Sequence, residues 1–530
     1  MRNKSHTLFV YLLFIFLFPT VPLYGQDHTD DSCTDIVVGK LASTDGSVIT
    51  SHTDDSHRTR SWIDVQPHRK NAAGSGVPMY RRLPCDSLAM PTYVHRLIGS
   101  IPQMEETFGY INTAYPCMNE VQVGIGESTF GGREELQSDS GLIDCQRLCL
   151  LMLERSRSAR EAIRIAGDLL GRYGWIDYGE CLTVSDKREV WHLEIVGPGK
   201  GRTGAVWAAQ RVPDDHVSVN ANASRLLEIN PDDPDHFMAS GNVLDVAREH
   251  GWWEESMGPF RFAYAYAPES RTSLAARRRE WRVFDLVAPS LELDPNAENY
   301  PFSVKPDEPV SLEKLIGIFK DYYEGTDFNF VKDITVADDS GRMVISPLAN
   351  PFMPYDMNKV FRINGGWGWR GERTIARWYT MYATIIQSRD WLPDEIGGVV
   401  WLAMDNVASS IYIPVYCCVT ELPEPYKTPG RPNGYTTESA WWAFNRLGTL
   451  AAQRWGDMRH DLDAVWVPWQ RELLEKQGEV EAEALAMYKK NNPEKTIEYL
   501  TRYTGSWGDR VVAKALELGD LLWTRYDELF

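Results

Sequence analysis

Short apolar runs along the chain predict β-strands, and longer periodic stretches predict helices. The strands are predicted at residues 36–38, 48–50, 121–125, 181–184, 190–195, 216–219, 398–404 and 410–415. The helices are predicted at 142–154 and 159–170, and the pattern of 436–530 is helical. Strand runs followed by two helices and then by further strands indicate a layered α+β fold.

Residues 1–25 have the pattern of an export signal. Arg2 and Lys4 precede the apolar run 8–18, which is short for a permanent membrane span. The polar residues 26–32 follow, and we interpret them as a short propeptide. The sequence therefore predicts an exported protein, periplasmic or extracellular, that has no stable membrane anchor after signal removal.

Charge and motifs narrow the classes of partner. The 530 residues carry a formal net charge of -19, which argues against nucleic acid as a partner because phosphate would be repelled. The sequence contains no HExxH, Walker or CxxC pattern, so we expect neither a metal nor a cofactor. Composition leaves the oligomeric state open, a homo-oligomer included.

The first predicted hairpin carries candidate chemistry. A turn centred on residues 44–46 would place Cys33 opposite residues 56–58 and bring Asp54 and Asp55 beside it. If the mature chain began at Cys33, one residue would supply a thiol with a pKa of about 8.5 and an α-amine with a pKa of about 7.7–8.0. Nucleophile and base would then belong to the same residue. The hairpin count does not choose between the two aspartates as the carboxylate that orients the amine.

The segment Cys33–Ile49, CTDIVVGKLASTDGSVI, resembles the mature start of the cysteine dipeptidase family of N-terminal-nucleophile hydrolases, relatives of penicillin V acylases and bile-salt hydrolases. Further similar segments are 119–128, 217–222 and 277–284, and the resemblance covers most of 33–420. It implies a four-layer αββα sandwich. We therefore expect a hydrolase domain over 33–425 and a helical C-terminal region over 436–530.

The resemblance implies roles for residues of the first hairpin. Cys33 would be the nucleophile after removal of the propeptide, and Asp55 would be the carboxylate near its amine. Many relatives carry an arginine three residues before this aspartate, where this chain has His52. The departure leaves open which cation assists the thiolate.

The resemblance also implies how the oxyanion is stabilised. An asparagine side chain and a backbone N–H would bind it, and such a donor contributes about 2.7–4 kcal/mol to the barrier. Asn220 matches the asparagine best, with Asn222 as its rival, and the backbone donor would come from Glu127 or Ser128. A later arginine of the family maps near Arg278.

The function implied is that of a thiol dipeptidase, which hydrolyses short peptides through a thioester on Cys33. Glu127 is a candidate to bind the ammonium group of the substrate. One alternative is an N-acyl amidase that resembles bile-salt or penicillin V acylases. Another is a non-catalytic exported protein that binds peptide or glycan and holds Cys33 in a disulfide.

Overall fold

The computed structural model describes residues 31–352 and 372–529. The predicted signal segment and all but the last two residues of the predicted propeptide lie outside the described residues. The strands are β1 (Asp31–Val38), β2 (Val48–Ser56), β3 (Asp64–Gln66), β4 (Arg69–Lys70), β5 (Gly76–Cys85), β6 (Thr92–Pro102), β7 (Glu106–Thr107), β8 (Tyr110–Asn112), β9 (Met118–Asn119), β10 (Gly124–Gly131), β11 (Gly179–Ser185), β12 (Val190–Val196), β13 (Val206–Arg211), β14 (Val217–Asn220), β15 (Phe237–Ala239), β16 (Ser303–Val304), β17 (Thr335–Ala337), β18 (Met343–Ile345), β19 (Thr380–Ser388), β20 (Val399–Met404) and β21 (Ile413–Tyr416).

The helices cluster in the middle and at the C-terminal end of the chain. They are α1 (Cys145–Arg155), α2 (Ala159–Tyr173), α3 (Asp245–Glu249), α4 (Phe262–Tyr266), α5 (Leu274–Val287), α6 (Leu312–Phe319), α7 (Asp394–Gly397), α8 (Glu424–Lys427), α9 (Ala440–Gln453), α10 (Trp455–Tyr488) and α11 (Pro493–Arg525). Among them, none combines the length and the apolar character needed to cross a bilayer.

Local signals explain where the two predicted central helices begin and end. Asp144 caps α1 by accepting from the backbone N–H of Arg147, and Ser158 caps α2 in the same way from Glu161. Helix α2 ends at Gly174, whose φ of 74° lies in the left-handed region that glycine tolerates best. The sequence therefore predicts these helices to within a turn at each end.

Two large antiparallel sheets organise the described residues. The first has the strand order β16-β14-β1-β2-β19-β20-β21, and the second has the order β15-β13-β12-β11-β10-β9-β8-β3. Strand β1 lies inside the first sheet, paired with β14 on one side and β2 on the other. The first residues of the predicted hairpin pair with β2, whereas the pairing with β14 begins at Asp35.

The two sheets approach each other closely at β1, β2 and β10. Thr183 of β11 bonds Thr50 of β2 at 2.7 Å and Asp35 of β1 at 3.0 Å. A Cβ atom on Gly126 would lie 2.2 Å from the carbonyl oxygen of Ser51, so only glycine permits this approach. The close contact brings residues of β10 against the end of β1 that carries Cys33.

Helices contact both sheets. Helices α1 and α2 contact strands of the second sheet, whereas α5, α9, α10 and α11 contact strands of the first. The buried side chains of α9, α10 and α11, such as Trp441, Trp466 and Leu522, belong to the same hydrophobic cluster as β19 and β20. The helical pattern of 436–530 is confirmed as secondary structure, and the domain boundary before it stays a prediction.

Candidate active site

Cys33 is a buried residue of a central strand, and hydrogen bonds hold both its backbone N–H and its carbonyl oxygen. Its N–H donates to the Oδ1 atom of Asn222 at 3.0 Å. Its carbonyl oxygen accepts from the guanidinium of Arg279 at 2.6 Å. Within the described residues Cys33 is a free thiol. The nitrogen described here is still an amide nitrogen, joined to Ser32.

The pairing of β1 with β2 differs from the predicted hairpin. Cys33 lies opposite Asp54, and Ser32 lies opposite Asp55. The predicted position opposite residues 56–58 is wrong by at least two residues. The reason is that residues 39–47 do not form a tight turn: the N–H of Leu41 bonds the carbonyl oxygen of Asp214 at 2.7 Å, so the loop folds against a distant segment.

Asp54 and Asp55 take different positions relative to the thiol. Residues directly opposite each other in an antiparallel pair have side chains on one face of the sheet, so Asp54 shares the face of Cys33 and Asp55 lies on the other. Asp54 accepts from the Oγ1 atom of Thr59 at 2.7 Å. The carboxylate predicted to stand near the amine, Asp55, is therefore adjacent to the Ser32–Cys33 peptide unit and not to the sulfur.

A buried arginine holds Asp55 in place. Arg373 forms an ion pair with the carboxylate of Asp55 and also bonds the hydroxyl of Ser32. The hydroxyl of Thr380 donates to Asp55 at 2.6 Å. Both partners come from residues distant in sequence, and no motif indicated them. The pair lies beside the bond that removal of the propeptide would break.

The two candidate asparagines have separate tasks. Asn222 contacts the backbone nitrogen of Cys33 and donates its amide group to the carbonyl oxygen of Thr129 at 2.7 Å. Its φ of 63° lies in the left-handed region, where asparagine is among the best tolerated residues. Asn220 bonds within its own turn, to the carbonyl oxygen of Ala223 and to the N–H of Asn222. The asparagine in contact with Cys33 is therefore Asn222.

The arginine at the site is Arg279, one residue after the predicted Arg278. Arg279 bonds Cys33 and the Oδ1 atom of Asn222, the latter at 2.8 Å, and burial lowers its pKa to about 9. Arg278 instead pairs with Glu372 at 3.1 Å and stacks over Phe328. Consecutive helical residues lie about 100° apart on α5, so only one of the two can face Cys33.

The thiol of Cys33 lies against a buried carboxylate. Its Sγ atom is 3.5 Å from the Oε2 atom of Glu127, and burial followed by the charges of Glu127 and Asp54 raises the pKa of the thiol well above its usual value. Ser128, the next residue of β10, accepts from the N–H of Asn222 through its hydroxyl. Glu127 thus contacts the sulfur, and Ser128 supports the asparagine that holds the nitrogen.

A second carboxyl group lies behind Glu127. The hydroxyl of Thr129 is within hydrogen-bond distance of both Glu127 and Glu180, at 3.1 and 3.0 Å. Burial and the neighbouring Glu127 raise the pKa of Glu180 well above its usual value. Two carboxyl groups this close in a buried site favour sharing of a proton. No local pattern indicated Glu180, because β10 and β11 are far apart along the chain.

His52 does not supply the positive charge of the arginine found in many relatives. Its Nε2 atom lies 3.5 Å from the Oε2 atom of Glu127, but within the described residues neither ring nitrogen forms a hydrogen bond, and burial lowers its pKa to about 3. Its ring stands edge-on to Tyr115 and Tyr382. His52 is therefore neutral near pH 7, and the guanidinium in contact with Cys33 is that of Arg279.

In the part of the chain that the structure describes, two buried groups of side chains have donors close enough to hold a metal ion. The donor atoms of Cys33, His52 and Asp54 lie within 4.8 Å of one another, and a second group includes Glu127 and Glu180. A cation bound to Sγ would occupy the electron pair that a nucleophile needs. The expectation of a metal-free site stays a prediction.

Comparison with known proteins assigns this site to a family. The model of Peptidase family C69 matches residues 32–467. The chain belongs to peptidase family C69. The matched range begins one residue before Cys33, and it contains every site residue described above. The family described from the first hairpin is thereby confirmed.

Individual relatives match between 73% and 88% of this chain. A protein of Latilactobacillus sakei named "Probable dipeptidase" is 25% identical over 500 residues, which are 88% of this chain and 92% of the relative. A "Probable dipeptidase" of Salmonella dublin is 25% identical over 73% of this chain and 81% of its own. "Probable dipeptidase B" of Lactococcus lactis is 24% identical over 82% of this chain and 84% of its own.

Proposed function

We propose that this C69 peptidase is a dipeptidase in which Cys33, freed as the first residue of the mature chain, is both nucleophile and base. The names of the relatives support dipeptides as substrates, since three of them are named as probable dipeptidases. The same names give no support to the N-acyl amidase alternative. The free thiol of Cys33 does not favour the binding protein with a disulfide.

One observation carries the proposal: the backbone nitrogen of Cys33 is held 3.0 Å from the Oδ1 atom of Asn222. That acceptor is fixed in turn by Arg279 at 2.8 Å. Cys33 lies before Asp35, the first residue of β1 that pairs with β14, so on this edge the side chain of Asn222 takes the place of a neighbouring strand. After a cut before Cys33, the same acceptor would orient a free α-amine next to the thiol.

The charges around Cys33 support activation by that cut. With Ser32 attached, burial and the charge of Glu127 raise the pKa of the thiol, so the sulfur is protonated near pH 7. Removal of the propeptide creates an α-amine that can accept the thiol proton, because its usual pKa is about 7.7–8.0. The carboxylates around Cys33, such as Glu127 and Asp54, would favour the resulting ammonium, and the guanidinium of Arg279 would oppose it.

The reaction then follows from the groups in place. The α-amine takes the thiol proton, and the sulfur bonds to the substrate carbonyl carbon, whose oxygen becomes an oxyanion. The oxyanion collapses and the C–N bond breaks, while the ammonium returns the proton to the leaving amine. Water attacks the thioester, gives its proton to the same amine, and the C–S bond breaks to release the acid. Asn222 and Arg279 keep the nitrogen and the carbonyl of Cys33 in position throughout.

We further propose that the two large sheets and their helices form the four-layer αββα sandwich of N-terminal-nucleophile hydrolases. Support comes from the contacts of β1 and β2 with β10, and from the helices that contact each sheet. We also propose that the protein is exported, on the pattern of residues 1–25. Recovery of the enzyme from the periplasm or medium in place of the cytoplasm tests that part.

Replacement of the thiol tests the mechanism. We expect Cys33→Ala to abolish hydrolysis of Ala-Ala, and Cys33→Ser to lower kcat by at least about 100-fold because a hydroxyl is a weaker nucleophile. Cys85→Ala is the matched control, since Cys85 is a partly exposed free thiol outside the site. Full activity of Cys33→Ala would rule out the proposed nucleophile.

A further inference from the structure

A cavity of about 410 Å³ opens beside the candidate active site. Its wall is formed by the segment after β2, by the connection from β8 to β9 and by the first turn of α1. The volume lies within the range of about 300–1,000 Å³ that is usual for small-molecule sites. A small peptide would fit such a space.

The cavity is one side chain away from the thiol. Thr59 lines it and donates its hydroxyl to Asp54 at 2.7 Å. Asp54 in turn pairs with Cys33 across the strands, on the same face of the sheet. Asp54 therefore lies between Thr59 of the cavity wall and the thiol, with a carboxylate oxygen within 4.8 Å of Sγ.

The wall of the cavity is cationic in a protein of net charge -19. Arg58, Arg60, Arg147 and His95 line it, and among its described lining residues there is no aspartate or glutamate. Burial and the charge of Arg147 lower the pKa of His95, as expected for a group in a positive surrounding. The chain as a whole is acidic, but the wall of this cavity is rich in arginine.

Arg147 provides the charge that neighbouring carboxylates do not neutralise. Arg58 pairs with Asp86 at 2.6 Å and Arg60 pairs with Asp64 at 3.3 Å. Arg147 forms no ion pair or side-chain hydrogen bond within the described part of the chain, and its guanidinium lies over a tyrosine ring at 4.9 Å. The N–H groups at the edge of the Arg147 guanidinium can therefore bind a ligand.

Asp144 is close enough to sense the charge of Arg147, and it already has other partners. Asp144 caps α1, and its carboxylate lies 3.6 Å from Arg82. Aromatic side chains, Trp62, Tyr93 and Tyr110, form the less polar part of the wall. The site thus offers an apolar surface with one available cation.

We propose that this cavity binds a carboxylate of the substrate peptide through Arg147. The inference rests on the proposed dipeptidase function and names its substrate class: peptides with a carboxylate close to the bond that is cleaved. The carboxylate has two sources, the C-terminal α-carboxylate of any dipeptide and the side chain of an acidic residue. Recognition of the α-carboxylate would limit cleavage to very short peptides.

The experiment compares wild type, Arg147→Gln and Arg164→Gln on two pairs of substrates. Arg164 is an exposed arginine of α2, so its variant removes the same charge away from the cavity. One pair is Ala-Ala and Ala-Ala amide, and the other is Ala-Glu and Ala-Gln. Within each pair only one carboxylate changes, and the ratio of the two kcat/KM values reports its recognition.

We expect wild type to prefer the carboxylate member of at least one pair by about tenfold or more, through KM. Arg147→Gln should lower that ratio by about tenfold, and Arg164→Gln should not change it. Loss in the first pair identifies the α-carboxylate, and loss in the second identifies the acidic side chain. Ratios that stay unchanged in Arg147→Gln, or an equal loss in Arg164→Gln, would overturn the inference and leave the dipeptidase function standing.

A second measurement separates the two proposals if wild type cleaves none of the four peptides. That result would refute the dipeptidase function. Calorimetry with glutarate then tests the cavity alone: binding by wild type and Arg164→Gln that is at least about tenfold weaker in Arg147→Gln supports a carboxylate site. Absent binding, or equal binding by all three proteins, overturns it.

Discussion

The backbone N–H of Cys33 donates to the Oδ1 atom of Asn222 at 3.0 Å, and Arg279 donates to the same oxygen at 2.8 Å. The side chain of one asparagine therefore joins the backbone nitrogen of Cys33 to a buried guanidinium. Asn222 itself adopts a left-handed backbone, so an alanine there would add strain to the loss of the amide. Glycine removes the side chain without that strain.

We expect Asn222→Gly to lower kcat by about 100-fold or more while the protein stays folded, because the amine loses its fixed acceptor. Asn222→Asp keeps the acceptor oxygen and should retain more activity than the glycine variant. Steady-state kinetics with Ala-Ala, together with Tm values for both variants, provide the measurement. Activity of Asn222→Gly within threefold of wild type would contradict the role assigned to this side chain.

A second prediction concerns the buried pair of Asp55 and Arg373. Removal of one partner from a buried ion pair costs about 3–5 kcal/mol, because the other charge is left uncompensated. We expect Asp55→Asn and Arg373→Met each to lower the free energy of unfolding by several kcal/mol, and the double variant to lose less than the sum. Urea denaturation of wild type, the two single variants and the double variant gives the coupling energy between Asp55 and Arg373.

The pair of Arg278 and Glu372 is the matched control, since it is equally buried but does not contact Cys33 or Ser32. Glu372→Gln should lower stability by a similar amount and keep the activity of each folded molecule. Asp55→Asn should in addition impair removal of the residues before Cys33, as read by intact mass. If Glu372→Gln and Asp55→Asn had equal effects on processing and activity, Asp55 would contribute to stability alone.

A third prediction follows from the low pKa of His52. Burial holds this pKa at about 3, whereas the unfolded chain has the usual value near 6.5. The unfolded state therefore binds the proton first, and His52 destabilises the fold progressively as the pH falls from 6.5 toward 3. At pH 5 the difference amounts to about 2 kcal/mol.

We expect His52→Phe, which fits the edge-on contacts with Tyr115 and Tyr382, to lose less stability than wild type between pH 7 and pH 5. His192 also has a pKa of about 3, so it contributes the same loss of stability with falling pH to both proteins. Urea denaturation at the two pH values measures the difference. The same fall in wild type and variant would show that His52 is protonated or solvated in the folded protein.

A fourth prediction concerns the reactivity of the thiol. Burial and the carboxylate of Glu127 raise the pKa of Cys33 while Ser32 is attached. A protein that begins at Cys33 should react with iodoacetamide faster at pH 7 than one that begins at Ser32, because the new ammonium stabilises the thiolate. Alkylation rates between pH 6 and pH 10, read by mass of the first peptide, give both pKa values.

In the protein that begins at Ser32, Glu127→Gln should lower the pKa of the Cys33 thiol, because Glu127 has the largest effect among the nearby charges that raise this pKa. Thr129→Val is a control, because it removes the hydroxyl between Glu127 and Glu180 without a change of charge. Identical pH profiles for the Ser32 and Cys33 proteins would contradict activation by the cut.

The sequence predicted the strands around Cys33, the two helices after β10 and the helical C-terminal region because each has a clear local pattern. It did not predict the long hairpin of β5 and β6, or β19 in the middle of the first sheet. The segment of β19, TMYATIIQS, is buried along its whole length, so it lacks the alternation that marks a half-exposed strand. Its place is set by pairing with β2 and β20.

The site residues also divide into those with a local sequence pattern and those placed by long-range contacts. The motif around Cys33 and the pair of Asn220 and Asn222 were visible in the sequence, but the choice between the asparagines depended on which one faces the strand end. Arg279 was missed by one position, since the phase of α5 is fixed by packing. Arg373 contributes through long-range pairing that no local pattern records.

The N-terminus of the active enzyme tests the central claim most directly. Purified enzyme is assayed on Ala-Ala, and its intact mass and N-terminal sequence are determined on the same sample. The account predicts that catalytic activity rises in proportion to the fraction of molecules that begin at Cys33. Full activity in a sample whose molecules all retain Ser32 would contradict it.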